Sequence, residues 1–182
     1  PPRSGSPRGA HETAPDETLV ALAPSQVSLL VKAGLEVSIE SGAGEAAGFD
    51  DDAYRSKGAR IIARREELFS SVQILPQVRT LGMNPEKGRD DLSLLRSDHT
   101  VIGLADPLGT PEASWELAAR GVTSLALELI PRIARAQSMD VLSSLATIVG
   151  YKAVILAAGV LPKLLPMLTT AAGTIAPARV LV

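Results

Sequence analysis

Short apolar or alternating segments recur through the first 130 residues, and each is followed by a segment of helical character. The apolar run Thr18–Ala23 and the alternating run Leu35–Glu40 predict the first two strands. Further strands are predicted at residues 58–62, 72–78, 100–105 and 122–130, and helices at 24–33, 64–70, 90–96 and 110–120. This alternation predicts an α/β domain built on a mainly parallel sheet with helices on both faces.

Three residues within these segments carry more specific expectations. Pro76 has no backbone N–H to donate, so its strand is predicted to lie at a sheet edge or to contain a bulge. Trp115 and Leu117 are predicted to face inward from the helix at 110–120.

The C-terminal part of the chain has a different pattern. Apolar residues at helical spacing predict one long helix from Met139 to about Pro162. Between Ala153 and Ala178 the only charged residue is Lys163. We interpret this segment as a buried linker helix between domains. A membrane span, which needs ~20 apolar residues, is the disfavoured alternative because Lys163, glycine and prolines interrupt the run. Residues 179–182 predict the start of another strand.

A dense polar segment, Pro131–Asp140, separates the last of the six predicted strands from the long helix. Loops that follow the carboxyl end of a strand are where α/β folds place their ligands. Arg132 offers planar donors, Gln137 offers a donor and an acceptor, and Asp140 can accept from a ribose hydroxyl. From these residues alone, a solvated loop in which Ser138 or Asp140 caps the helix is an equal alternative.

Composition excludes several classes of function. The net charge of −2 and the 3% aromatic content leave no basic or stacking surface for nucleic acids. The chain has no cysteine, which excludes disulfides and thiolate chemistry. Its two histidines, His11 and His99, lie far apart and match no metal-ligand spacing, so no metal site is predicted.

Two glycine-containing segments are interpreted as having no role in binding a nucleotide. The loop Gly42–Gly48 follows a predicted strand, but Glu45 lies within it and Asp50–Asp52 follow it. Carboxylates at these positions oppose a bound phosphate, so the loop is interpreted as a turn whose aspartates cap a short helix through Tyr54. Residues 1–11 are rich in proline, glycine and serine and predict a disordered tail.

The segment PRIARAQSMDVLSS at 131–144, with Gly150–Val154 downstream, resembles the loop and helix of the alanine dehydrogenase/nicotinamide nucleotide transhydrogenase family. Shorter segments are similar in the same order, at His11–Thr13, Gly48–Asp50 and Thr170–Thr174. The resemblance covers nearly the whole chain from about Glu12 and is closest to the transhydrogenase members. It implies a Rossmann-like sheet, a long linker helix and the first strand of a truncated dinucleotide-binding domain.

The same resemblance implies a function. It implies binding of NAD(H), with NADP(H) on a partner component, and hydride transfer between the two coupled to proton movement across a membrane. It also implies membrane and NADP(H)-binding partners, a homodimer, and a peripheral position on the cytoplasmic or matrix face of an energy-transducing membrane. A partner-binding or dimerising fragment without catalysis is the alternative from another class of function.

The cofactor-binding residues implied by the resemblance are Arg132, Gln137, Asp140 and Ser143. Gln137 and Ser143 would contact the nicotinamide region, while Arg132 and Asp140 would order the loop. No catalytic side chain is implied, because hydride passes directly between the two nucleotides and the protein only aligns them.

Several positions depart from the family pattern. Leu145 and Thr147 stand where the family has Gln and Asn, which affects polar contacts along that helix face. Leu19 and Gln77 replace the arginine and lysine that the resemblance assigns to the substrate carboxylate of alanine dehydrogenase, and Gly103–Pro107 lacks its histidine. The departures at Leu19 and Gln77 and the missing histidine favour transhydrogenase over alanine dehydrogenase.

The predicted domain boundaries follow from the same resemblance. A tail at 1–11 precedes an α/β domain at 12–137, a linker region at 138–176 and the start of a dinucleotide-binding domain at 177–182. The Gly-x-Gly-x-x-Gly turn of that domain is not in the sequence, so this chain alone is expected to be inactive.

Overall fold

The structure is a computed structural model that describes residues 8–181. It divides into two compact units, one ending at Pro131 and the other beginning at Arg132. Each unit has its own elements and its own contacts.

The N-terminal unit is a mixed α/β domain with parallel sheets, as predicted. Its strands are β1 (Arg8–Gly9), β2 (Ser38–Glu40), β3 (Arg60–Ile62), β4 (Ile74–Arg79), β5 (Thr100–Leu104) and β6 (Thr123–Ala126). Its α-helices are α1 (Pro24–Lys32), α2 (Asp51–Arg55), α3 (Arg65–Ser70) and α4 (Pro111–Ala119). Short 3-10 helices lie at 45–47, 81–83, 87–93 and 127–129. The strands form two parallel sheets in the orders β1-β2-β3 and β4-β5-β6.

Among residues 8–181, side-chain hydrogen bonds rather than a ladder link the two sheets. β1 and β4 are in contact, but no strand pairing links them within residues 8–181. The buried carboxylate of Glu12 instead accepts the backbone N–H of Val78 at 2.6 Å and that of Arg79 at 3.4 Å. Burial raises the pKa of Glu12, although the two backbone donors and Arg65 oppose this. The resulting order, β3-β2-β1-β4-β5-β6, is the strand order of the Rossmann fold.

Two hydrophobic clusters stabilise this unit. One is centred on Leu68, Phe69 and Leu75 around the second sheet, and the other on Val27, Ile39 and Tyr54 around the first. Each of these fully buried side chains contributes roughly 1.5–3 kcal/mol of transfer free energy.

In helix α4, the prediction that Leu117 faces inward is confirmed, and the same prediction for Trp115 is not. Leu117 and Ala113 are buried in the core, whereas Trp115 is 78% exposed. Residues four apart share a helix face, so Ala113 and Leu117 point together. Trp115 lies two residues from each and therefore faces the opposite side. The prediction for Trp115 was wrong.

The segment Thr18–Ala23 is not a strand, contrary to the prediction. It is irregular, and the side chain of Leu22 packs against the first-sheet cluster while its carbonyl accepts the Tyr54 hydroxyl at 2.9 Å. The first strand lies earlier, at Arg8–Gly9, and pairs with β2. The predicted tail at 1–11 therefore overlaps ordered structure, and its residues 1–7 lie outside the described part of the chain.

Strand β4 confirms the expectation for Pro76. The strand is the outer one of the hydrogen-bonded sheet β4-β5-β6, although β1 lies beside it, and its register with β5 shifts between Pro76 and Arg79. The edge position and the bulge accommodate a residue that has no N–H for the ladder. The last strand of the unit is shorter than predicted, since β6 ends at Ala126 and a 3-10 helix follows.

A charged network centred on Arg65 ties the carboxyl ends of β1 and β2 to the 3-10 helix at 87–93. Arg65 bonds both oxygens of Asp91, each at 2.7 Å, and its Nη1 donates to Glu40 at 2.6 Å. The same nitrogen donates to the carbonyl of His11 at 3.0 Å. Burial alone would lower the pKa of Arg65, but these carboxylates raise it, so the guanidinium stays charged.

The C-terminal unit contains a 3-10 helix at Ala134–Met139, helix α5 at Val141–Val160 and an antiparallel hairpin of β7 (Leu168–Thr170) and β8 (Gly173–Ile175). The long helix was predicted correctly, and the hairpin was not predicted. Residues 179–181 form no strand, and Val182 lies outside the described residues.

The predicted burial of α5 is not observed, because none of its residues is buried. An apolar pattern marks which residues favour burial, but burial also needs a surface that packs against them. Among residues 8–181, α5 is the one helix long and apolar enough by composition to cross a membrane. A single helix of this kind is weak evidence for a membrane span.

Candidate nucleotide-binding loop

The polar loop leads from Pro131 through a 3-10 helix into α5. Of residues 131–140 only Ala136 is buried. The side chains of Arg132, Gln137 and Ser143 are exposed. The loop therefore buries one small apolar residue and presents its polar groups to the surface.

Asp140 caps helix α5 and is held by Ser143. Its Oδ1 accepts the backbone N–H of Ser143 at 3.0 Å, and its Oδ2 accepts the Ser143 hydroxyl at 2.6 Å. The Ser144 hydroxyl donates to the Asp140 carbonyl at 3.0 Å. The bonds from Ser143 lower the pKa of Asp140, with a further contribution from the charge of Arg132. Of the two caps considered from the sequence, Asp140 is the one that forms.

The four predicted residues are related in different ways. Asp140 and Ser143 are directly bonded, and Arg132 acts on Asp140 through its charge. The Gln137 carbonyl accepts the Asp140 N–H at 3.3 Å, while its side-chain amide has no hydrogen-bond partner among the described residues. The loop thus offers a cation, an amide and a carboxylate-bound hydroxyl to a ligand.

The two departures on α5 reduce the polarity of the following turn. The Thr147 hydroxyl donates to the carbonyl of Ser143 at 3.0 Å, so it is engaged within the helix itself. Leu145 is half-buried and has no polar group to offer. Beyond Ser144, this region of the helix has little capacity for hydrogen bonds to a ligand.

The glycine-containing turn at 42–48 is structural, as predicted. Asp51 accepts the backbone N–H of Gly42 at 2.9 Å and the hydroxyl of Ser41 at 2.7 Å. Although partial burial acts in the other direction, these bonds lower the pKa of Asp51. Asp50 caps α2 by accepting the N–H of Ala53 at 2.7 Å. The chain's own carboxylates therefore take the donors that a phosphate would need.

Sequence reasoning did not single out Glu128, which precedes the loop. Its Oε1 accepts the backbone N–H of Ala105 at 2.7 Å and that of Asp106, so it fixes the end of β5. Its Oε2 is buried without a hydrogen-bond partner among the described residues. The signal for it in the sequence is its position as the only charged residue in the apolar segment Ser124–Ile130.

Comparison with known proteins identifies the family. The family model for the alanine dehydrogenase/PNT N-terminal domain matches residues 10–149, which is more than half of the chain. This chain belongs to the alanine dehydrogenase/PNT family. The match includes the beginning of α5 and the whole polar loop.

Individual relatives place the chain nearer to transhydrogenase. The first segment of the NAD(P) transhydrogenase alpha subunit of Rhodospirillum rubrum is 40% identical over 171 residues, which cover 94% of this chain and 44% of that protein. Alanine dehydrogenase of Bacillus subtilis is 30% identical over 148 residues, covering 81% of this chain and 36% of that protein. The crystal structure of transhydrogenase from Sinorhizobium meliloti matches with a TM-score of 0.83 and 40% identity, covering 94% of this chain and 49% of that chain.

These matches confirm the Rossmann-like α/β fold and the family assigned from the loop sequence. The coverage of the relatives themselves is partial. The chain spans less than half the length of the transhydrogenase relatives that it matches.

Proposed function

We propose that this chain is the N-terminal portion of the NAD(H)-binding component of a proton-translocating NAD(P) transhydrogenase. The observation that carries the proposal is the loop at 131–144, in which the Asp140–Ser143 pair lies beside the exposed Arg132 and Gln137. The 40% identity to the alpha subunit of the Rhodospirillum rubrum enzyme supports it. The absent arginine and lysine at Leu19 and Gln77 argue against an alanine dehydrogenase.

The loop fits one end of a nicotinamide dinucleotide. The nicotinamide carboxamide has one acceptor and two donors, and Gln137 supplies both matching types of group. The pyrophosphate needs backbone amides at a helix N-terminus. The glycine-containing turn at 42–48 does not supply them, since the amide of Gly42 is taken by Asp51. The chain therefore fits the nicotinamide end and leaves the phosphates to another segment.

The hydrogen bonds within the loop define what each side chain does. The single hydroxyl proton of Ser143 is donated to Asp140, so Ser143 Oγ remains as an acceptor for a carboxamide N–H. Arg132 favours the ionised form of Asp140 and so preserves this orientation. When bound, NADH supplies the hydride, and the protein's contribution is alignment rather than acid–base chemistry.

The proposal extends to partners and location. The hydride acceptor would be NADP⁺ on a separate component, and proton movement would take place in a membrane component. The chain would act as a homodimer, peripheral to the membrane on its cytoplasmic or matrix face. The names of the relatives as transhydrogenase alpha subunits support the existence of partner subunits.

The direct test is a titration of NADH into the ¹⁵N-labelled chain, followed by NMR. We expect fast-exchange shifts at the amides of Gln137 and Ser143, with weak affinity because the phosphate site is incomplete. Arg132→Ala should abolish these shifts. Arg135→Ala is the matched control, because Arg135 is an exposed arginine of the same loop that is not assigned to the nucleotide.

Two results would contradict the proposal. One is the absence of any shift in residues 132–143 at NADH concentrations far above those in cells. The other is an equal loss of the shifts in the Arg132→Ala and Arg135→Ala variants, since this would indicate general charge attraction and not a defined site.

A second function, a non-catalytic partner-binding or dimerising fragment, is favoured by one observation. None of the 20 residues of α5 is buried, although most of them are apolar. Sedimentation equilibrium distinguishes the candidates when combined with the titration. Self-association that is abolished by Ile155→Glu, together with no NADH shifts, would favour the second function.

A further inference from the structure

The outer face of α4 carries the only tryptophan of the chain. Trp115 is 78% exposed, and it lines an open depression of about 500 Å³ with Pro111, Glu112 and Glu116. These four residues, the α4 face, recur at helical spacing and share one side of the helix. The opposite side, through Ala113 and Leu117, is buried in the core.

The indole ring of Trp115 is left in water although its burial would contribute strongly to an interface. Tryptophan is enriched in protein interfaces and among the residues that dominate their binding energy. The proposed role of the polar loop does not use the α4 face. The contacts of α4 with the core explain the position of the helix through Ala113 and Leu117 without Trp115.

The carboxylates beside Trp115 favour a partner that carries a positive charge. Glu112 lies in the first turn of α4 and is exposed. Glu116 pairs with Arg89 at 2.7 Å, and the exposed fraction of the Arg89 side chain is 53%, so a competing cation can reach this pair. A guanidinium or ammonium group over the indole face would gain a cation–π contact and a carboxylate together.

We propose that the α4 face docks a protein segment that presents an arginine or lysine side chain to Trp115. Charge complementarity carries this choice of occupant. A second copy of the same face is disfavoured, because a two-fold contact would bring Glu112 and Glu116 against their own equivalents. An anionic surface is disfavoured because the same two carboxylates would repel it. The inference is independent of the function proposed for the loop.

The test uses the fluorescence of Trp115, which is the only indole signal of the full chain. The probe is a short synthetic peptide with two arginines, and the same peptide with two glutamines is its control. We expect the arginine peptide to protect Trp115 from acrylamide quenching in a saturable manner. Glu112→Gln should weaken this binding about two- to fivefold, as expected for loss of an exposed charge contact.

Two arginine variants separate specific docking from general attraction. Arg89→Ala releases Glu116 and should tighten peptide binding about two- to fivefold. Arg60→Ala is the matched control, because it removes the same charge and releases Glu67 at another exposed site. It should leave binding to Trp115 unchanged.

Three results would overturn the proposal. The first is no saturable protection by the arginine peptide. The second is equal tightening by Arg89→Ala and Arg60→Ala. The third is protection of Trp115 by phosphatidylcholine vesicles but not by the peptide, which would make the face a lipid contact.

Discussion

Replacing Asp91 by alanine removes the two bonds that hold the guanidinium of Arg65 against the 3-10 helix at 87–93. Asp91 is 5% exposed and the side chain of Arg65 is 17% exposed, so the charge left behind is largely shielded from water. Removing one partner of a buried pair costs about 3–5 kcal/mol. Because Glu40 still pairs with Arg65 at 2.6 Å, we expect the lower end, about 3 kcal/mol.

The assay is urea unfolding followed by far-ultraviolet circular dichroism, with thermal unfolding in parallel. A loss of about 3 kcal/mol corresponds to a fall in Tm of about 6–12 °C for a domain of this size. The matched control is Asp52→Ala, which removes an ion pair with Arg55 at 2.6 Å whose aspartate is 84% exposed. The control should lose less than about 1 kcal/mol.

The loss of stability in Asp91→Ala, compared with that in Asp52→Ala, tests whether the Arg65 network stabilises the fold. If Asp91→Ala loses no more stability than Asp52→Ala, the Arg65 network does not stabilise the fold through a shielded charge pair. The triple variant Glu40→Gln, Arg65→Met and Asp91→Leu should recover part of the loss, because it leaves no buried charge of this network without a partner.

Three further predictions concern other sites. Burial lowers the pKa of His99 in the folded chain, so on acidification the unfolded chain binds the proton first and the free energy of unfolding should fall as pH drops below about 6.5. The urea midpoints at pH 7.5 and 5.5 should therefore differ more in the wild type than in His99→Gln, and equal differences would contradict this. Gly82→Ala would place a Cβ against the Ala105 carbonyl oxygen and should cost several kcal/mol of stability or prevent folding. The Cβ of Gly150→Ala meets no atom within 4 Å, so this variant should stabilise α5 by up to about 1 kcal/mol. Similar soluble yields and urea midpoints for the two variants would refute the expected difference. Asp140→Ala removes the cap of α5 and should cost about 1 kcal/mol, with faster amide exchange confined to the first turn of the helix; unchanged exchange at Ser143 and Ser144 would show that the cap is not needed.

The sequence predicted the elements that periodicity alone can determine. The alternation of strands and helices, the irregular β4 at Pro76 and the long α5 all follow from local patterns of apolar and polar residues. The loop cap at Asp140 was one of two alternatives, and the structure selects it because the Ser143 hydroxyl and amide converge on that carboxylate.

What the sequence did not predict depends on contacts between distant residues. The bonds of Arg65 to Asp91 and Glu40 span 26 and 25 residues, and no local spacing indicates them. The run Thr18–Ala23 has the composition of a strand, but it lies in the structure as an irregular segment. The inward assignment of Trp115 followed its hydrophobicity, whereas its position between Ala113 and Leu117 directs it outward.

The Glu12 contact between the two sheets has a consequence for how the domain tolerates change. Where backbone ladders join strands, almost any residue can be substituted, because the bonds belong to the peptide groups. Beside β1, the backbone N–H groups of β4 at Val78 and Arg79 bond instead to one carboxylate, so this part of the junction depends on the chemical identity of the side chain at position 12. Each half keeps its own ladders, but the hydrophobic cluster around the second sheet also includes Ala10 and Ile62 from the side of the first sheet. A substitution at position 12 would therefore loosen the junction between the half-sheets locally, while the Arg65 network and the shared hydrophobic cluster still hold the two halves together.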